Sequence, residues 1–172
     1  GSILTKVGTG TLTLTGSTSG WTGGTNISGG VLRLGASNVL NTTGTWYIAN
    51  AAGSAQLELA SSVAQTSATV TFFGSSANTT SQGSILIGTG ATLTLGGTLN
   101  VTNVGNALGA VISGPGTLAL SAARTFDVRN STAVSGYELT VAVPVTGAYT
   151  LTVVGSGNTL LAGNNSYAGL AV

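Results

Sequence analysis

The stretch of sequence that decides the fold is Leu4-Thr5-Lys6-Val7-Gly8-Thr9-Gly10-Thr11-Leu12-Thr13-Leu14-Thr15-Gly16. From Thr11 to Thr15, threonine and leucine alternate strictly. Successive side chains of a β-strand point to opposite sides, so the leucines share one face and the threonines the other. This alternation predicts a strand with one buried face and one face in water. The glycines at both ends predict sharp turns, since glycine adopts positive φ at little cost.

The same unit recurs along the chain at irregular intervals. Its imperfect copies are Gly88-Thr89-Gly90-Ala91-Thr92-Leu93-Thr94-Leu95, Gly114-Pro115-Gly116-Thr117-Leu118-Ala119-Leu120 and Gly155-Ser156-Gly157-Asn158-Thr159-Leu160-Leu161. A repeated short β unit favours a solenoid, in which each coil buries its apolar side chains against those of its neighbours. Alternating strands also occur in β-sandwiches and antiparallel barrels, and those two architectures stay open at this point.

The rest of the chain consists of short β-type runs separated by Gly-rich breaks, and no stretch has helical periodicity. The predicted runs are Gly10–Thr15, Gly30–Leu34, Thr45–Ala49, Ala55–Ala60, Ala68–Phe73, Ser84–Ile87, Ala91–Leu95, Thr98–Thr102, Ala110–Ile112, Gly116–Leu120, Thr125–Val128, Glu138–Val143 and Tyr149–Val154.

Composition excludes several classes of function. Only 4% of the 172 residues are charged and the net charge is +1, so there is no basic patch for nucleic acid or an anionic membrane surface. No Cys or His is present, which removes disulfides, thiolate metal sites and histidine acid–base chemistry. No apolar run approaches the roughly 18 residues of a membrane helix, so direct membrane insertion is not expected.

The first 35 residues resemble the autotransporter-associated β-strand repeat, whose pattern is approximately L-x-K-x-G-x-G-T-L-x-L-x-G, a turn N-x-Y-x-G-G-T, and a strand G-G-x-L. Residues 155–169 match it in part. The resemblance implies a right-handed parallel β-helix in a large exported bacterial protein, with no catalytic residues. In this sequence the motif positions are Gly8, Gly10, Leu12, Leu14, Gly16, Trp21, Gly23, Gly24, Gly155, Gly157, Gly163, Tyr167 and Gly169. Leu12 and Leu14 are expected in the core, Trp21 or Tyr167 over a corner, and Lys6 on the surface with its ammonium group in water.

Candidate chemistry is sparse. Arg124-Thr125-Phe126-Asp127-Val128-Arg129 is the densest charge cluster, and we interpret Asp127 and Arg129 as an ion pair on the solvent side of a strand. Glycoside hydrolysis needs two suitably placed carboxyl groups, and only Glu58, Asp127 and Glu138 are available. We therefore predict no enzyme activity, no catalytic residue, no cofactor and no metal. Outward threonines form either a plain exposed β-face or an array that binds ice or a sugar surface.

These observations predict residues 1–172 to be a single, open-ended solenoid segment of about seven or eight coils, each of roughly 20–25 residues. Gly8 and Gly155 are equivalent, so the last repeat stops before a counterpart of the strand Gly30–Leu34. We therefore expect either a longer chain with flanking coils or end-to-end self-association. The expected role is a structural scaffold, as a passenger-like stalk or a fibre or sheath subunit, secreted or on a bacterial cell surface. The alternative is an adhesin segment that binds a surface glycan.

Overall fold

The computed structural model describes residues 1–16, 20–49, 53–74, 82–102, 108–131 and 136–172. Throughout these residues the regular elements are β-strands, and neighbouring strands pair in parallel. Each strand pairs with a strand one coil further along the chain, so the backbone winds as a stack of coils. The predicted all-β parallel solenoid is confirmed, and the parallel pairing rules out the sandwich and the antiparallel barrel. Right-handed winding stays a prediction, in line with the usual hand of parallel crossovers.

The coils have three faces, and the first face begins each coil. Its strands are β1 (Leu4–Lys6), β3 (Thr25–Ile27), β5 (Trp46–Ala49), β8 (Val70–Phe73), β11 (Leu99–Val101), β14 (Arg124–Val128) and the second half of β16 (Val145–Val154). The end of β18 (Ser166–Ala171) pairs onto β16 as a further layer.

The second face is a separate seven-stranded sheet with one strand from each successive coil. Its strands are β2 (Thr11–Leu14), β4 (Gly30–Leu34), β6 (Ala55–Leu59), β9 (Gly83–Ile87), β12 (Ala110–Ser113), β15 (Leu139–Val141) and β17 (Thr159–Leu161).

The third face is shorter, because the first two coils contribute no strand to it in the described residues. It contains β7 (Ala64–Thr66), β10 (Thr92–Leu95), β13 (Thr117–Leu120), the first half of β16 and the start of β18. Five successive coils therefore have three strands each. Strand β16 runs through both the third and the first face, with a register shift between Gly147 and Thr150, and so joins these faces into one 11-stranded sheet.

The core is a set of apolar columns that run parallel to the solenoid axis. On the second face, one column of registered inward positions is apolar throughout: Leu12, Leu32, Leu57, Ile85, Ile112, Val141 and Leu161. The five inner members of this column are at most 1% exposed. Burying each such side chain contributes about 1.5–3 kcal/mol, so stacking of identical inward positions stabilises the coils in register.

Each predicted β run contains or overlaps an observed strand, and Gly30–Leu34 is exact. The predicted runs do not include four of the three-residue strands (β1, β3, β7 and β17), the strand β18 or the first half of β16.

The expected coil length of 20–25 residues is too short for the middle of the solenoid. Leu4 pairs with Thr25, 21 residues later, whereas Val70 pairs with Leu99, 29 residues later.

Candidate functional site

The motif of the first repeat forms the first coil and its contact with the second. Leu12 and Leu14 are half-buried and pack against the core, as predicted, and Trp21 also packs against it. Gly8 has φ +71° at the corner between the first and second faces, but Gly10 and Gly16 lie outside the left-handed region. The expectation that all three glycines serve a positive-φ turn is therefore wrong for the latter two.

Other motif glycines are required by the close approach of a neighbouring coil. A Cβ on Gly24 (φ +107°) would lie 2.4 Å from the carbonyl oxygen of Thr45, and a Cβ on Gly23 would lie 2.5 Å from that of Gly1. In the second copy, Gly155 lies against Val128 in the same manner. Its companions in that copy lie against neighbouring backbone or side chains: Gly157, Gly163 and Gly169. Tyr167 is partly buried against the core, as expected for a corner aromatic residue.

Lys6 differs from the prediction. Its side chain is only 6% exposed, and Nζ donates hydrogen bonds to the carbonyl oxygens of Val7 (2.8 Å), Gly8 (2.9 Å) and Gly29 (3.0 Å). An ammonium group has three donors, and all three are used here. Lys6 therefore ties the glycine corner of the first coil to that of the second, and the three carbonyl oxygens take the place of the water that the prediction expected around the ammonium group.

The predicted charge cluster separates into two unrelated contacts. Phe126 and Val128 are fully buried, while Asp127 and Arg129 lie on the outer side, 3.5 Å apart (Arg129 Nη2 to Asp127 Oδ2). The interpretation as a solvent-facing ion pair is confirmed. Arg124 instead donates through Nε to the carbonyl oxygen of Leu95 at 2.8 Å, one coil back.

The sequence interpretation missed a second ion pair, between Arg33 Nε and Glu58 Oε1 at 3.4 Å. These residues are register partners on β4 and β6. Only the register shows that residues 25 apart are neighbours, and the irregular repeat does not supply it. Glu138, the remaining acidic residue, is 1% exposed. Its carboxylate accepts hydrogen bonds from the backbone N–H groups of Ser131 (3.2 Å) and Asn158 (2.6 Å).

The connections between the first and second faces vary most in length. Residues 28–29 link β3 to β4, whereas residues 74–82, 102–109 and 129–138 make the same link in three later coils. These links therefore differ by up to eight residues between coils. Where the links are short, an open groove of about 400 Å³ crosses four coils, lined by uncharged residues that include Thr9, Ser28, Ser54, Gln56 and Ser84.

The outer side of the first face holds two exposed aromatic rings and a threonine column. Tyr47 is 46% exposed and Phe73 is 48% exposed, on adjacent coils. Half-exposed threonines occupy the position before the inward-facing residue of five successive coils: Thr45, Thr69, Thr98, Thr125 and Thr152.

The described ranges contain no group of three or more His, Cys, Asp or Glu side chains that could hold a metal ion. In the same residues, no helix reaches the length and hydropathy that crossing a membrane requires.

Parallel coils, stacked apolar columns and glycine corners define a β-solenoid repeat protein. The passenger-associated-transport-repeat family model matches residues 4–34 and 151–172, which include the two stretches that carry the sequence resemblance. The repeat and the solenoid together fit an autotransporter passenger-type β-helix repeat protein. No curated protein and no solved structure matches the chain.

Proposed function

We propose that this chain is a structural segment of a secreted or cell-surface bacterial protein, acting as a stiff scaffold. The observation that carries the proposal is the seven-stranded parallel second face, with its apolar column in register from coil to coil. Every coil contacts its neighbours through backbone hydrogen bonds along two or three faces, and such a stack resists bending. The passenger-associated repeat at residues 4–34 and 151–172 supports export.

The partners of such a scaffold are further coils. We propose that its outermost coils stack either on flanking coils of the same chain, giving a stalk, or on a second copy, giving a fibre or sheath. The backbone groups at the edge of a parallel sheet are free to pair with a strand of either origin. Neither arrangement needs a cofactor, a metal ion or nucleic acid.

We also propose that the chain is not an enzyme. The carboxylates of Glu58 and Asp127 lie on different faces and pair with arginines, and Glu138 is buried with backbone donors. General acid–base hydrolysis of a glycoside needs a pair of carboxyl groups facing one substrate, and these three face different surroundings.

Electron microscopy of negatively stained protein tests the scaffold proposal. Seven coils at about 4.8 Å each predict a rod about 35 Å long. Filaments with an axial repeat near that length support self-stacking, and single rods at high concentration support a stalk. Compact or irregular particles with no long axis would contradict both forms of the proposal.

An adhesive role is the second candidate, and one observation favours it. Tyr47 and Phe73 are two exposed aromatic residues on adjacent strands of the first face, with Thr71 as the register partner of Tyr47. Contiguous exposed apolar patches rimmed by polar residues commonly mark binding surfaces.

A further inference from the structure

The register of the first face places Tyr47 and Phe73 diagonally across two neighbouring coils. Tyr47 pairs with Thr71, and Phe73 follows Thr71 by two residues on the same outer side of β8. Diagonal neighbours in a sheet have Cα atoms about 7–8 Å apart, which is within reach of aromatic side chains. Thr71, the register partner of Tyr47, is only 9% exposed, so its neighbours cover most of its surface.

Planar polar groups continue the patch along the solenoid axis. Asn100 is the register partner of Thr71, and its Nδ2 donates to Thr71 Oγ1 at 3.3 Å. Asp127 is the partner of Asn100 and pairs with Arg129 at 3.5 Å. An amide on one coil, and a carboxylate and a guanidinium group on the next coil, thus follow the two rings, and the coils are about 4.8 Å apart.

We infer that this surface, defined by Tyr47, Thr71, Phe73, Asn100, Asp127 and Arg129, binds a neutral glycan chain. Aromatic rings offer flat apolar faces to the C–H face of a sugar ring, while planar polar groups make paired hydrogen bonds to adjacent hydroxyls. The inference rests on the adhesive role proposed above and names its site and its ligand class.

Other kinds of partner fit this surface poorly. The backbone groups in the middle of the face are already paired on both sides, so a peptide cannot add as a strand there. Asp127 and Arg129 offset each other's charge, so the surface has no net charge to attract an anionic polymer or a charged membrane surface. The register partners of Tyr47 are the polar residues Asn26 and Thr71, which disfavours a large apolar partner.

The test is binding of the full chain to neutral hexasaccharides, with β-glucan, α-mannan and N-acetylglucosamine hexamers as probes and a hexamer of uronic acid as the charged comparison. Calorimetry gives the affinity, and NMR saturation transfer identifies the sugar protons that contact the protein. We expect at least one neutral hexamer to bind, and the double variant Tyr47→Thr/Phe73→Thr to weaken that binding by about tenfold or more. Threonine keeps the β propensity of both positions.

Tyr149→Thr is the matched control, since Tyr149 is 42% exposed and lies outside the defined surface, and its binding should equal that of the unmodified chain. Circular dichroism before each titration confirms that the variants are folded. Asn100→Ala and Arg129→Ala should each weaken binding without the loss of a ring. No binding of any neutral hexamer, binding of the uronic acid hexamer alone, or equal binding by the double variant and the control would overturn the inference. The scaffold proposal would stand in each case, because the microscopy tests it independently.

Discussion

At the scale of single residues, Lys6 is a cation whose partners are three backbone carbonyl groups at a glycine-rich corner. Two of these carbonyls belong to its own coil, and that of Gly29 belongs to the next one. Glycine corners leave carbonyl oxygens uncovered by side chains, so a buried polar group must satisfy them. Lys6 performs this task because its long apolar stem packs inside the coil while its head reaches the corner.

Replacing Lys6 with methionine is expected to destabilise the chain by about 2–3 kcal/mol, since the stem is kept but three carbonyls lose a charged donor. Arg33→Met is the matched control, because Arg33 is also a cation but its ion pair with Glu58 is exposed to solvent. That change should cost no more than about 1 kcal/mol. Urea unfolding followed by circular dichroism measures both values. An equal loss in the free energy of unfolding for the two variants would show that the corner contacts of Lys6 stabilise the chain no more than an exposed ion pair does.

The motif glycines show how much of the site could be predicted from the residues. The positions of the corners were predictable, because glycines flank the alternating strands. Which glycine position excludes a side chain was not predictable from the motif. A Cβ is excluded at Gly24 because the backbone of Thr45 lies against it in the next coil, while Gly10 has open space around it. The requirement belongs to the contact between coils, and the irregular repeat does not reveal which residues meet there.

At the scale of strands, periodicity found the long alternating segments and missed β7. This strand has three residues, and its inward residue is Gln65, which is 1% exposed. Gln65 Oε1 accepts from the N–H of Leu40 at 3.1 Å, and Nε2 donates to the carbonyl oxygen of Leu40 at 3.0 Å. The side-chain amide therefore pairs with Leu40 in the way that a neighbouring strand would. A polar residue in this role has no signature in an apolar pattern, so the sequence alone indicates a loop.

Gln65→Leu should destabilise the chain by about 2–4 kcal/mol, because the buried N–H and carbonyl groups of Leu40 lose their partner. Gln56→Leu is its control: Gln56 is half-exposed and bonds only to the hydroxyl of Ser84 at 3.1 Å among the contacts described, so the cost should stay below about 1 kcal/mol. Hydrogen exchange gives a local readout, since the Leu40 amide should exchange much faster in Gln65→Leu. An unchanged Leu40 amide would mean that this bond does not hold the segment.

At the scale of the whole molecule, the repeated unit predicted the fold class, but it did not predict which residues become neighbours on the surface. The ion pair of Arg33 with Glu58 and the patch around Tyr47 and Phe73 both join residues from successive coils. Locating them requires the length of every coil. Those lengths depend on connections such as residues 74–82 and 129–138, which vary at one corner without changing the apolar columns. Sequence periodicity identifies the apolar columns, but it does not give the lengths of the connections between the strands.

A stack in which each coil contacts its neighbours should lose stability locally before it loses it globally. Leu93 is fully buried in β10, and Leu93→Ala is expected to cost about 3–5 kcal/mol, while Leu12→Ala, at a half-buried position of β2, should cost about 1–2 kcal/mol. Because β10 pairs directly with β7 and β13, hydrogen exchange in Leu93→Ala should accelerate first in those strands and last in β1 and β2. An equal loss of protection in all strands would instead mean that the coils unfold as one cooperative unit. The stiffness proposed for the scaffold would then be a property of the entire stack and not of each contact between coils.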